Sequence, residues 1–66
     1  MAVARVTKIT ASSTEGFQHA VDSGLDRASQ TLRSITGLEV ESMKAKVENG
    51  RIVEYRATIE ITFVLD

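Results

Sequence analysis

Hydrophobic residues recur with two different periods along this chain, and the change of period divides it into elements. Phe17, Ala20, Val21, Gly24, Leu25, Ala28, Leu32 and Ile35 follow one another at helical steps, which lays them on one stripe of an α-helix. Gln, Asp, Ser and Arg occupy the opposite face. Ser12 with Glu15 three residues on fits a capping box, in which each side chain accepts the other's orphan backbone N–H. At the far end Arg33 sets a cation near the helix carbonyls, and Gly37 is free to take the left-handed cap conformation. The pattern predicts a helix from Ser13 to Thr36, about 36 Å long at ~1.5 Å per residue.

The last stretch, RIVEYRATIEITFVLD, alternates instead. Val53, Tyr55, Ala57, Ile59, Ile61, Phe63 and Leu65 fall on one face, and Glu54, Arg56, Thr58, Glu60 and Thr62 on the other. A half-buried strand is expected, about 47 Å long at ~3.3 Å per residue, with Ile52 and Val64 out of phase at its ends. LEVESMKAKVENG also reads as a strand, but its parity changes, since Leu38 and Val40 share one face whereas Met43, Ala45 and Val47 take the other. A β-bulge near Glu41 or Ser42 would restore the phase. Asn49-Gly50 signals a hairpin. A three-residue loop with Gly50 left-handed is expected there, because a plain two-residue turn would put Lys44 and Lys46 on the side of Val53 and Tyr55. Val3 to Ala11 forms a short opening strand anchored by Val6 and Ile9.

The expected fold is α+β in β-α-β-β order, a three-stranded antiparallel sheet wrapped around one long helix, with residues 1–66 as a single domain. Sixty-six residues bury little apolar surface, and such chains need a staple or a partner. Cysteine is absent and His19 is the only histidine, which excludes disulfides and a Cys/His zinc cluster. Self-association is the remaining remedy, covering sheet edges and apolar margins with copies of the same chain.

Composition narrows the function. A hydrophobic content of 42% with 26% charged residues suits a soluble domain, and a net charge of -1 gives no pull toward nucleic acid or anionic lipid. No apolar run is long enough to span a bilayer, and the opening residues lack a secretory core, so a cytoplasmic location is expected. The glutamates Glu39, Glu41, Glu54 and Glu60 read as a solvated strand face without a histidine or cysteine beside them. Brought together across subunits, Glu39, Glu41 and Glu60 are candidate ligands for a hard cation such as calcium. His19 lies off the apolar stripe and reads as solvent-facing. Ser12, Ser13 and Thr14 are accounted for by capping rather than by a phosphate loop, which needs more glycine than TASSTEG supplies. The basic residues are scattered and the aromatics few, against a nucleic-acid platform. No enzyme is expected.

The residues Ala11 to Glu15 before the helix, the helix core GLDRASQTL and the closing FVLD together resemble the dodecin family, over essentially the whole chain. That resemblance implies a non-enzymatic subunit of a hollow homododecamer. It also implies a small ligand, in many members a flavin (riboflavin or FMN) stacked in pairs at subunit interfaces, in some coenzyme A, and in a related branch calcium. Gly37, Arg56 and Lys46 match positions of the family's flavin pocket. The first two depart from its pattern. A tryptophan that stacks on the isoalloxazine ring is replaced by Gly37, and the glutamine that pairs with the flavin edge is replaced by Arg56, which has donors only. Losing a stacking ring removes on the order of 1 to 3 kcal/mol per face. Weak or altered flavin binding is therefore expected.

Overall fold

The computed structural model describes residues 3–65. Four elements follow in the order β1 (Val3–Ser13), α1 (Phe17–Ser29), β2 (Ile35–Glu48) and β3 (Arg51–Leu65). The three strands make one antiparallel sheet in the order β1-β3-β2, so the alternating C-terminal strand is central and paired on both sides.

Alternation along β3 decides what is buried. Ala57, Ile59 and Ile61 lie under α1 at no more than 1% exposure, whereas Glu54, Arg56, Thr58, Glu60 and Thr62 form the polar face behind them. From the helix come Ala20, Gly24 and Ala28, small residues one turn apart that bring α1 close to the sheet. A Cβ on Gly24 would stand 3.1 Å from Ala11 Cβ and 3.4 Å from Ile59 Cδ1, so the close approach favours glycine there. Ile9, Val21, Leu32, Ile35 and Leu38 complete the packing. Phe17 and Tyr55 close one end edge to face, their ring centroids 5.0 Å apart.

The helix is shorter than its hydrophobic period suggests. It spans 13 residues, with Gly16 at its N-cap and no side-chain cap. Ser12 and Ser13 belong to β1, opposite Arg56 and Tyr55, so the Ser12–Glu15 capping box does not form. At the other end the backbone N–H groups of Thr31 and Leu32 both donate to Ala28 O, and the chain then leaves the helix. Leu32 and Ile35 still reach the core, one from the connection and one from β2, which is why helical spacing included them. Ile35 and Thr36 are β-branched, and pairing of Ile35 with Phe63 prevails over their weak helix propensity. Gly37 is a strand residue, not the helix cap; the left-handed residue near this corner is Ser34, at φ 59°. Arg27, rather than Arg33, is the cation of the last turn.

Register in the β2–β3 hairpin is set by irregularities. Asn49 and Gly50 form a two-residue turn with φ 54° and 75°, Glu48 pairing with Arg51, so the expected three-residue loop is not used. Val53 is the extra residue between the pairs Val47–Ile52 and Lys46–Glu54, and this bulge aligns Ala45 with Tyr55. The odd-with-odd pairing expected from parity is thus reached by a bulge rather than by a longer loop. Glu41 is the extra residue between Val40 and Ser42, where the change of parity placed a bulge, and Thr36 is another between Ile35 and Gly37. Among the described residues no helix is long and apolar enough to cross a membrane.

Candidate functional site

The polar face of the sheet gathers nearly every residue that sequence reading singled out. Cross-strand register divides it into two halves of opposite charge. Toward the start of β2, Glu39 lies opposite Glu60, and Glu60 lies opposite Lys8 of β1. Like charges directly opposite each other repel. Lys8 offsets this crowd by reaching across β3, its Nζ lying 3.0 Å from Glu41 Oε1 and 2.9 Å from Oε2. The Glu41 hydrogen bond and charge, with a smaller part from Glu60, raise the Lys8 ammonium above the ordinary lysine pKa. Of the three candidate metal ligands, Glu39 and Glu60 are therefore neighbours, while Glu41 is engaged by a lysine. Among the described residues, no three acidic or histidine side chains of a single copy gather closely enough to hold a metal ion.

Toward the hairpin the sign reverses. Arg56 has Lys44 opposite it on β2 and Ser12 opposite it on β1, and Glu54 lies opposite Lys46. Arg56 Nε donates to Glu54 Oε1 at 2.6 Å. That hydrogen bond, with the charges of Arg56 and Lys46, holds the Glu54 carboxyl below its ordinary pKa. Lys46 also stands 3.6 Å from Glu48 Oε2. Among the described residues Lys44 has no ion-pair partner.

Gly37 sits at the edge-strand end of this face, opposite Thr62. A Cβ built there meets nothing within 4 Å, and its backbone lies outside the left-handed region. Neither space nor conformation reserves the position for glycine. Around a single copy no enclosed cavity is present among the described residues, so Gly37, Lys46 and Arg56 line open surface.

His19 was expected to face solvent, and its side chain is half exposed, yet both ring nitrogens are engaged. Ser13 Oγ lies 2.7 Å from Nδ1, and Glu15 Oε2 lies 3.1 Å from Nε2. Ser13 Oγ also accepts the Glu15 backbone N–H at 2.9 Å. The hydroxyl keeps its proton and a second lone pair for Nδ1, while the Glu15 carboxylate faces Nε2. This group ties the end of β1 to the first turn of α1, beside no cavity that could hold a substrate. Lys8, Lys44 and Ser12 are the site residues that sequence reading missed. Their signal was strand parity: each shares the face of Arg56 and Glu60 once the bulges are placed.

The family model described as Dodecin matches residues 3–66. The dodecin of Thermus thermophilus is 28% identical over 64 residues, spanning 97% of this chain and 93% of that protein. Among solved structures, the dodecin from Streptomyces davaonensis superposes with a TM-score of 0.93 at 35% identity, covering 98% of this chain and 96% of that one. A tryptophan-to-phenylalanine variant of the T. thermophilus dodecin superposes with a TM-score of 0.94 at 27% identity, covering 100% and 98% of the two chains.

Proposed function

The chain belongs to the dodecin family, a family of small-ligand, flavin-binding proteins, and on that premise we propose that it is a non-enzymatic shell subunit whose grip on flavin is weakened. The observation that carries the reading is Gly37. Its open surroundings and ordinary backbone would accept a large aromatic side chain, yet the sequence contains no tryptophan at all. The T. thermophilus relative does have a tryptophan, the one exchanged for phenylalanine in its solved variant. Arg56 supports the same conclusion, because its Nε is committed to Glu54 and a guanidinium offers no acceptor to a flavin edge.

The ligand site is completed by other copies. A single copy presents Gly37, Lys46 and Arg56 on open surface, and it leaves Val3, Val6, Met43, Val47, Ile52 and Leu65 largely exposed. A homododecamer covers these margins and places the polar faces of several copies within reach of one ligand. The test is a fluorescence titration with riboflavin. Gly37→Trp combined with Arg56→Gln is expected to bind at least tenfold more tightly than the wild type, since one stacked ring is worth about 1 to 3 kcal/mol. Equal affinities in the two proteins would overturn this account of the pocket.

A second reading rests on the Glu39–Glu60 pair, two carboxylates facing each other across β2 and β3. Supplemented by the same pair from neighbouring copies, it offers the several oxygen ligands that calcium takes. Calorimetry on chelator-stripped protein decides it. Heat at millimolar calcium that disappears in Glu60→Gln supports it, and absence of heat removes it.

A further inference from the structure

Asn49 is the only asparagine in the chain, and it stands directly before Gly50. The backbone nitrogen that follows an asparagine can attack its side-chain amide carbon, closing a cyclic imide (a succinimide) and expelling ammonia. Glycine leaves that nitrogen unshielded, because it has no Cβ. Both residues are exposed, and nothing lies within 4 Å of where a Gly50 Cβ would stand. Among the described residues the Gly50 N–H makes no backbone hydrogen bond to hold it back. Turn geometry nevertheless opposes the attack. Asn49 is left-handed at φ 54°, with Gly50 at 75°. In that conformation a residue's Cβ is crowded by its own carbonyl oxygen. The next nitrogen lies on the other side of the planar carbonyl carbon, so Gly50 N faces away from the Asn49 side chain. Ring closure requires Asn49 to leave the left-handed region, which undoes the turn that pairs Glu48 with Arg51.

We propose that Asn49-Gly50 is a conformation-gated site of backbone modification, held back in the closed hairpin and reactive when the hairpin opens. Water reopens the succinimide at either carbonyl, so one ammonia leaves for each water taken up and a carboxylate replaces the amide. Breaking the newly formed bond leaves aspartate, which suits the same turn. Breaking the original peptide bond leaves isoaspartate, whose main chain runs through the side-chain carbons and is one atom longer. A turn of this kind sets strand register, and the lengthened chain does not rebuild it. Val47 and Ile52 pair beside the turn and are 59% and 48% exposed, so they belong to the apolar margin proposed to be covered by other copies. Isoaspartyl copies are thereby kept out of the assembly. That last step rests on the shell reading, whereas the gated chemistry does not.

The whole protein is aged at mildly alkaline pH, both folded and unfolded in guanidinium chloride, and aspartate and isoaspartate at residue 49 are quantified by fragmentation mass spectrometry. Modification is expected to be about tenfold or more slower in the folded protein. Equal rates in the two states would overturn the gate, and an unmodified unfolded chain would overturn the site. Refolding of the aged chains, separation by size and the same fragmentation read the consequence. Aspartyl copies are expected in the assembled particle and isoaspartyl copies among the dissociated chains; an even distribution would overturn their exclusion. Asn49→Gly keeps a residue suited to positive φ and has no amide to lose, so it should reassemble fully after the same ageing. An equal loss of assembly in that variant would overturn the assignment to this turn. Should the unaged protein form no particle at all, the shell reading fails, and the two ageing rates alone decide the gate.

Discussion

Gly24 and Gly37 look alike in the sequence and differ completely in what they tolerate. At Gly24 a methyl group would press against Ala11 Cβ at 3.1 Å, an atom fixed to its strand that cannot swing aside. Alanine would gain about 1 kcal/mol of helix propensity there, but overpacking costs about 1 to 3 kcal/mol. Gly24→Ala is expected to lower stability by about 1 kcal/mol net, and Gly24→Val by more, as read from urea unfolding. Gly37→Ala has open space around it and should be neutral or stabilising within about 0.5 kcal/mol. A destabilised Gly37→Ala would mean that glycine is needed there for folding, and its reading as a missing functional side chain would fall. The apolar parity of β3 and the bulge at Glu41 were legible in the sequence because each follows from side-chain alternation. Glycine roles were not, since a helix cap, a strand residue and a close packing contact share the same letter.

Between elements, polar side chains do much of the positioning. Ser13, Glu15 and His19 fasten the β1–α1 link, where the helix has no side-chain cap of the ordinary kind. Ser13→Ala removes the acceptor of the Glu15 N–H and the partner of His19, and should cost about 1 kcal/mol in chemical unfolding. This group was missed in the sequence because Ser12–Glu15 offered a competing pattern with capping-box spacing. Only the pairing of Ser12 with Arg56 shows that the strand extends through it. Across the sheet, the Lys8–Glu41 bridge joins the two edge strands over β3. The raised Lys8 pKa gives stability that is complete below the ordinary lysine pKa and is lost as pH rises through the raised one. The lowered Glu54 pKa gives stability that is complete above the ordinary carboxylate pKa and is lost as pH falls through the lowered one. Thermal scans should thus be level near neutrality and fall in both directions. Glu41→Gln should flatten part of the alkaline limb and Glu54→Gln part of the acid limb. An alkaline limb unchanged in Glu41→Gln would show that the bridge contributes nothing to stability.

As a whole, one copy is elongated rather than compact. Its radius of gyration is 13.6 Å and its extents are 52 × 19 × 13 Å. A compact chain of this length would have a radius of gyration of about 11 Å. A long sheet covered over only part of its length by a 13-residue helix accounts for the difference. The exposed apolar residues of β1 and of the hairpin lie where α1 does not reach, and copies of the chain are the proposed cover. The expectation of self-association rests in the sequence on the chain's length and its want of staples, whereas the division of the polar face into acidic and basic halves depended on register. The most direct test of the account is native mass spectrometry on protein purified from cells without added ligand. A particle of twelve 7.2 kDa chains without stoichiometric flavin is the predicted result. A monomer would contradict the shell, and a dodecamer filled with riboflavin or FMN would contradict the reading of Gly37 as a lost clamp.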